Sequence, residues 1–128
     1  MEIKSSNSST ILKFSDINGN YFRVSIINID YSATIIVWGY TDTDGLVDLF
    51  ESMSKNWRGW DDDKMWWNSI GCNFSITCKN DKKGHITMSI QISNDKDQME
   101  SWDLKTELVV DSCQLDLIAK EAKEFFKI

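Results

Sequence analysis

From Cys72 to Val110 apolar and polar side chains alternate with a period of two, and no other feature of the chain so narrows what it can fold into. Cys72, Phe74, Ile76 and Cys78 interleave with Asn73, Ser75, Thr77 and Lys79; Ile86, Met88, Ile90 and Ile92 interleave with Thr87, Ser89, Gln91 and Ser93. Because successive strand side chains point to opposite faces, each run has one greasy and one wet face. Asn80-Asp81-Lys82-Lys83-Gly84 supplies the turn between them, and Asn94-Asp95-Lys96-Asp97-Gln98 a second polar turn. Trp102, Leu104, Thr106, Leu108 and Val110 then alternate with Asp103, Lys105 and Glu107 as a third strand. A sheet of this kind must cover its greasy side.

The cover follows directly. Asp111 with Gln114 three residues on has capping-box spacing, and Leu115, Ile118, Ala119, Ala122 and Phe126 form a helical stripe, with Lys120, Lys123 and Lys127 toward the negative end of the dipole. The first half repeats the plan. Thr10–Phe14 is a short strand closed by the turn cluster Asp16-Ile17-Asn18-Gly19-Asn20; Tyr21–Ile29 puts Phe22, Val24 and Ile26 on one face; Ala33–Trp38 is rich in β-branched residues. Asp42-Thr43-Asp44-Gly45 supplies turn and cap chemistry, and Leu46, Leu49, Phe50, Met53 and Trp57 give a helix ending near Arg58-Gly59. The expected fold is α+β: an antiparallel sheet of about six strands in βββα-βββα order with two helices on one face. Leu46-Val47-Asp48-Leu49 echoes Leu115-Asp116-Leu117-Ile118, a likeness that two amphipathic helices can also share by chance. Residues 1–9, polar and serine-rich, are expected to be a flexible N-terminus, and 10–128 one domain.

Composition excludes several classes. At 128 residues with 41% apolar residues the chain can bury a core, about two-thirds of its unfolded surface. A net charge of −6 repels phosphate backbones, no basic patch offsets it, and nucleic acid is not an expected partner. The polar start has no signal-peptide pattern, and no apolar run approaches the ~18 residues of a membrane span, so a cytoplasmic protein away from membranes is expected. Cys72 and Cys78, about 20 Å apart along one expected strand, cannot bridge, and with Cys113 they are expected to be reduced, buried thiols. No cysteine or histidine spacing fits zinc, and neither metal nor cofactor is expected.

Catalytic signals are sparse. His85 is the one histidine, placed on the wet face, where a solvated or hydrogen-bonded role is commoner than catalysis. Asp61-Asp62-Asp63 lacks the alternate spacing, glycine and distant glutamate of a calcium loop, and paired carboxylates of the glycosidase type leave no trace in sequence. There is no nucleophile elbow and no phosphate loop.

The remaining candidate is Trp57-Arg58-Gly59-Trp60-Asp61-Asp62-Asp63-Lys64-Met65-Trp66-Trp67, with four of the six tryptophans. Its structural reading ends the helix stripe with Trp57 and plugs the open end of the sheet core with Trp66 or Trp67, burying at least two indoles. Its functional reading makes Trp57, Arg58, Trp60, Asp61, Asp62, Asp63, Trp66 and Trp67 a partner-binding surface, aromatic and arginine anchors beside carboxylates that steer a basic partner. The wet face carrying Asn73, Ser75, Thr87, Ser89, Gln91, Lys105 and Glu107 is a second candidate surface.

The second half also carries a resemblance. Trp66/Trp67-Asn68-Ser69, Gly84-His85-Ile86, Ser101-Trp102, Cys113-Gln114-Leu115 and the closing Phe125-Phe126 resemble the pattern Trp-x-Ser, Gly-His-Val, Trp, Gly-Gln-Leu and Phe of a family of short uncharacterised bacterial proteins, over about residues 57–128. Ile86 and Cys113 depart from that pattern's Val and Gly. Such proteins are similar in size and composition to immunity proteins of polymorphic toxin systems. The resemblance implies a non-enzymatic module that binds a protein partner, a basic toxin domain in particular. Two other expectations stand beside it: a small-ligand domain with an aromatic pocket between helices and sheet, and a hydrolase using His85 with a carboxylate.

Overall fold

A computed structural model describes residues 1–39, 43–61, 65–94 and 100–128. In chain order the strands are β1 (Glu2–Lys4), β2 (Ile11–Asn18), β3 (Tyr21–Ile27) and β4 (Ser32–Trp38), followed by helix α1 (Thr43–Lys55). Strands β5 (Trp66–Asn68), β6 (Phe74–Asn80), β7 (His85–Ser93) and β8 (Asp103–Asp111) then lead through a 3-10 turn, Ser112–Gln114, into helix α2 (Leu115–Phe126). The architecture is α+β with two four-stranded antiparallel sheets, β1-β2-β3-β4 and β5-β6-β7-β8. Each half is thus a four-stranded meander followed by a helix.

One six-stranded sheet was the wrong expectation, and the two added strands explain why. β1 and β5 are three residues long, each burying its central side chain, Ile3 or Trp67, between exposed neighbours. Three residues are too few to display a period. In β5 the exposed neighbour of Trp67 is another tryptophan, which hides even that fragment of alternation. β1 also falls inside the stretch expected to be flexible. There the Ser6 N–H donates to the Val109 carbonyl at 2.7 Å, and Ser5 Oγ accepts the Val109 N–H at 3.1 Å. These serines occupy edge groups of β8 that would otherwise face water or another chain.

The longer strands follow the alternation. β6, β7 and β8 pair through Ile76↔Ile90, Cys78↔Met88 and Met88↔Leu108, so that the greasy residues share one side. The turn after β6 is held by Asn80 Oδ1, which accepts the Lys82 N–H at 2.7 Å, and passes through Gly84 at φ +97°, where a side chain would be strained. Besides the added β1, the first meander differs from expectation in β2. β2 continues to Asn18 through a register shift after Ser15, with Asp16 in the left-handed region and ion-paired to Arg23 at 3.3 Å.

Both sheets and both helices contribute to one core. Phe14 on β2 is its hub: its ring centroid lies 6.1 Å from Phe22, 6.5 Å from Phe50, 5.9 Å from Phe74, 6.3 Å from Phe125 and 6.1 Å from Phe126. α1 buries Leu46, Val47, Leu49, Phe50 and Met53, and α2 buries Leu115, Ile118, Ala119 and Ala122. The helices also touch each other, through an ion pair of Lys123 with Glu51 and a hydrogen bond of Ser54 with Asp116. The capping box forms as its spacing predicts, with Gln114 Oε1 accepting the Asp111 N–H at 2.8 Å. It opens the 3-10 turn that runs into α2 rather than α2 itself.

Several smaller expectations need correction. α1 stops at Lys55, so Trp57 leaves the buried stripe. The capping role given to Asp42 and most of the turn at Asn94–Gln98 fall outside the described residues. All three cysteines are free, but only Cys78 is buried; Cys113 is exposed, and Cys72 precedes β6 in a turn at φ 60°. Burial pushes the Cys78 thiol up to about 12, which leaves it a protonated core atom. Among the described residues no helix is long and apolar enough to cross a membrane, and no group of three or more metal-ligating side chains is gathered.

Candidate functional site

The tryptophan-rich segment divides between core and surface. Trp60 is buried, 7% exposed, and its indole N–H donates to the Cys78 carbonyl at 3.0 Å. Trp67 is buried at 6% and meets Phe74 edge to face, ring centroids 5.6 Å apart. Trp66 is 57% exposed on the solvent side of β5, and Trp57, 49% exposed, carries the Arg58 guanidinium 5.0 Å from its ring centroid. Asp61 is exposed, and Asp62 and Asp63 fall outside the described residues. The eight residues expected to make one partner-binding surface are therefore not one surface. Two of the indoles are spent on the core: β5 turns its two tryptophans to opposite sides, sending Trp67 inward and Trp66 outward, and Trp60, which precedes the strand, is held inside by its bond to the Cys78 carbonyl.

The two halves present different faces to solvent. On the first sheet Tyr21 (52% exposed) stands opposite Trp38 (42%), and Ile36 (58%) opposite Arg23, across the β3–β4 pair. β4 is an edge strand, so this apolar end lies at the border of its sheet. Asn73 Nδ2 reaches across to the Ile36 carbonyl at 3.0 Å and joins that border to the turn between β5 and β6, where Ile70 is also exposed. The second sheet is polar outside except at Trp66. Its register stacks Trp66, Thr77, Ser89 and Glu107 in one row and Asn68, Ser75, Gln91 and Lys105 in the next. A hollow of about 420 Å³ lies over these rows, bordered by Ser75, Thr77, Ser89, Gln91, Lys105 and Glu107. It is on the solvent side of the sheet. The region between helices and sheets, where an aromatic ligand pocket is one expectation, holds the phenylalanine cluster instead.

His85 does face a carboxylate. Its Nδ1 lies 3.0 Å from Asp81 Oδ2, with both side chains about half exposed on an open turn. Asp81 Oδ1 also accepts the N–H groups of Lys83 at 2.6 Å and His85 at 3.1 Å. The bond from the Lys83 amide first, with those from His85, holds the Asp81 carboxyl below its ordinary value against an opposing desolvation. A group whose folded pKa is depressed contributes stability above the unfolded pKa and loses it as pH falls through the folded one. The β6–β7 turn is therefore expected to loosen only in acid, below the usual carboxylate range. Carbon-detected NMR titration should show Asp81 titrating under the exposed aspartates, with faster Lys83 amide exchange at the acid end; an ordinary Asp81 midpoint would contradict this account.

A sequence profile for a family of unknown function matches residues 3–128, nearly the whole chain, both meanders included. The chain belongs to that family, DUF6228. No curated protein matches it. In this DUF6228 chain the residues that carry the sequence pattern have structural work. Gly84 makes the positive-φ step of the hairpin and its carbonyl accepts the Ser112 N–H at 2.9 Å; the Trp102 N–H donates to Asn94 Oδ1 at 2.9 Å; Gln114 closes the capping box. The apolar border on β4 was missed from sequence. Ile36 and Trp38 carried a signal, alternating with the buried Ile35 and Val37, but a strand apolar on both faces reads equally as one buried on both sides.

Proposed function

We propose that this DUF6228 protein is a protein-binding module that docks a basic partner on the solvent face of β3 and β4, in the manner of immunity proteins, which it is similar to in size and composition. The supporting observation is the cross-strand pair Tyr21–Trp38 with Ile36 beside it, large apolar side chains at an exposed sheet border. The second meander, built to the same plan, places serine, threonine, glutamine and charged residues on its outer face. Solvent-facing aromatics at a sheet margin cost solubility and are the usual anchors of interfaces. The net charge of −6 favours encounter with a basic surface. Trp57 with Arg58 and Asp61 make a smaller adjunct of the same composition.

The test starts from the neighbouring genes, where a toxin-like reading frame is expected and its absence would count against the proposal, and continues with coexpression of this chain and that frame's toxin domain. Protection of growth and a stable purified complex are expected, with Tyr21→Ala and Ile36→Asp each weakening the complex by at least about 30-fold, the equivalent of a ~2 kcal/mol hot spot. Both side chains are exposed, so the variants should fold. Failure to form a complex, or variants that bind like the parent chain, would overturn the proposal.

A further inference from the structure

We propose that the outer face of the second sheet is a binding site for a neutral saccharide. This reading is independent of protein docking on the first sheet. The hollow of about 420 Å³ is of a size that holds small ligands, and a second hollow of about 200 Å³ adjoins it across Ser75 and Gln91. The side chains of Ser75, Thr77, Ser89, Lys105 and Glu107 make no hydrogen bond or ion pair with any described residue, and Gln91 has only a long, 3.4 Å contact with Asp103. Elsewhere polar side chains such as Asn73, Asp81 and Asn94 are engaged by the backbone around them. Here hydroxyls, an amide, an ammonium and a carboxylate border one concavity, free of protein partners among the described residues and open to a ligand in place of solvent.

Charge and shape narrow the ligand. Lys105 and Glu107 flank the same hollow and cancel, so an anion would meet Glu107 and a cation would meet Lys105, whereas uncharged hydroxyls accept from Lys105 and donate to Glu107. Trp66 ends the row that runs through Thr77 and Ser89 to Glu107. That row spans three inter-strand gaps, about 14 Å, room for about three pyranose rings. An exposed indole gives a flat apolar plate for the C–H face of a sugar, while its neighbours meet the hydroxyl edge. An apolar or charged ligand finds no such match. The exposed Trp66, which has no described contact that fixes it there, acquires a purpose on this reading.

The experiment is an amide-NMR titration of the full chain with maltotriose, cellotriose and triacetylchitotriose, each to about 10 mM, a ceiling suited to millimolar affinity. At least one is expected to give saturable shifts confined to residues 66–68, 75–77, 89–91 and 105–107. Trp66→Ala and Gln91→Ala should each weaken that binding by about tenfold or more. Leu117→Ala, exposed on α2 and off this face, should leave it unchanged, and matching spectra of the free variants confirm their folds. No saturable shift with any of the three, shifts centred elsewhere, or undiminished binding by Trp66→Ala would overturn the assignment.

Discussion

Replacing Phe14 with alanine is expected to cost about 3–5 kcal/mol, a large share of the ~5–15 kcal/mol that holds a domain folded. Phe14 is fully buried, and its ring meets Phe22, Phe50, Phe74, Phe125 and Phe126, which come from β3, α1, β6 and α2. Truncation would open a cavity at the one point where both sheets and both helices converge, and none of the surrounding rings can close it without abandoning its own partners. Urea unfolding followed by circular dichroism should show a far lower midpoint with an unchanged slope. A loss below about 1 kcal/mol would mean that the two halves are not joined through this ring. The same measurement on Ile36→Asp should show little change, because that side chain is already in water.

The second large effect separates tryptophans that sequence places side by side. Trp60→Ala is expected to destabilise by about 3–5 kcal/mol, and Trp60→Phe by about 1–3 kcal/mol, since phenylalanine keeps most of the packing and leaves the Cys78 carbonyl without its donor. Trp66→Ala should change stability by no more than about 0.5 kcal/mol, as expected of an exposed side chain. Denaturant titrations of the three variants in parallel decide the matter. A Trp66→Ala cost matching that of Trp60→Ala would refute the division into core and surface indoles, and with it the purpose given to Trp66 above.

Much of the fold was legible, for reasons that particular elements make plain. β6, β7 and β8 are seven to nine residues long and buried on one side, so their alternation and their turn chemistry agree. α2 was equally clear, since its stripe and the Asp111/Gln114 box are local patterns. β1 and β5 were illegible because three residues carry no period and because their strand state depends on partners up to eleven residues away, as Glu2↔Lys13 and Trp66↔Thr77 show. The candidate surfaces were only half legible. The polar outer face of the second sheet could be named from parity, but that Ser75, Thr77, Ser89, Gln91, Lys105 and Glu107 bound a hollow depends on how the strands curve together.

By itself the sequence determined the local states: which segments extend, which coil, where the turns fall, and which side of each long strand avoids water. Those follow from side-chain periodicity and backbone preference within a dozen residues. The tertiary structure decided how many sheets there are, which tryptophans are buried, and which solvent face gathers its polar side chains around a hollow. Each of these is settled by contacts between residues distant in the chain, such as Phe14 with Phe74 or Ser6 with Val109, and the free energy of such contacts depends on three-dimensional complementarity that no local pattern records.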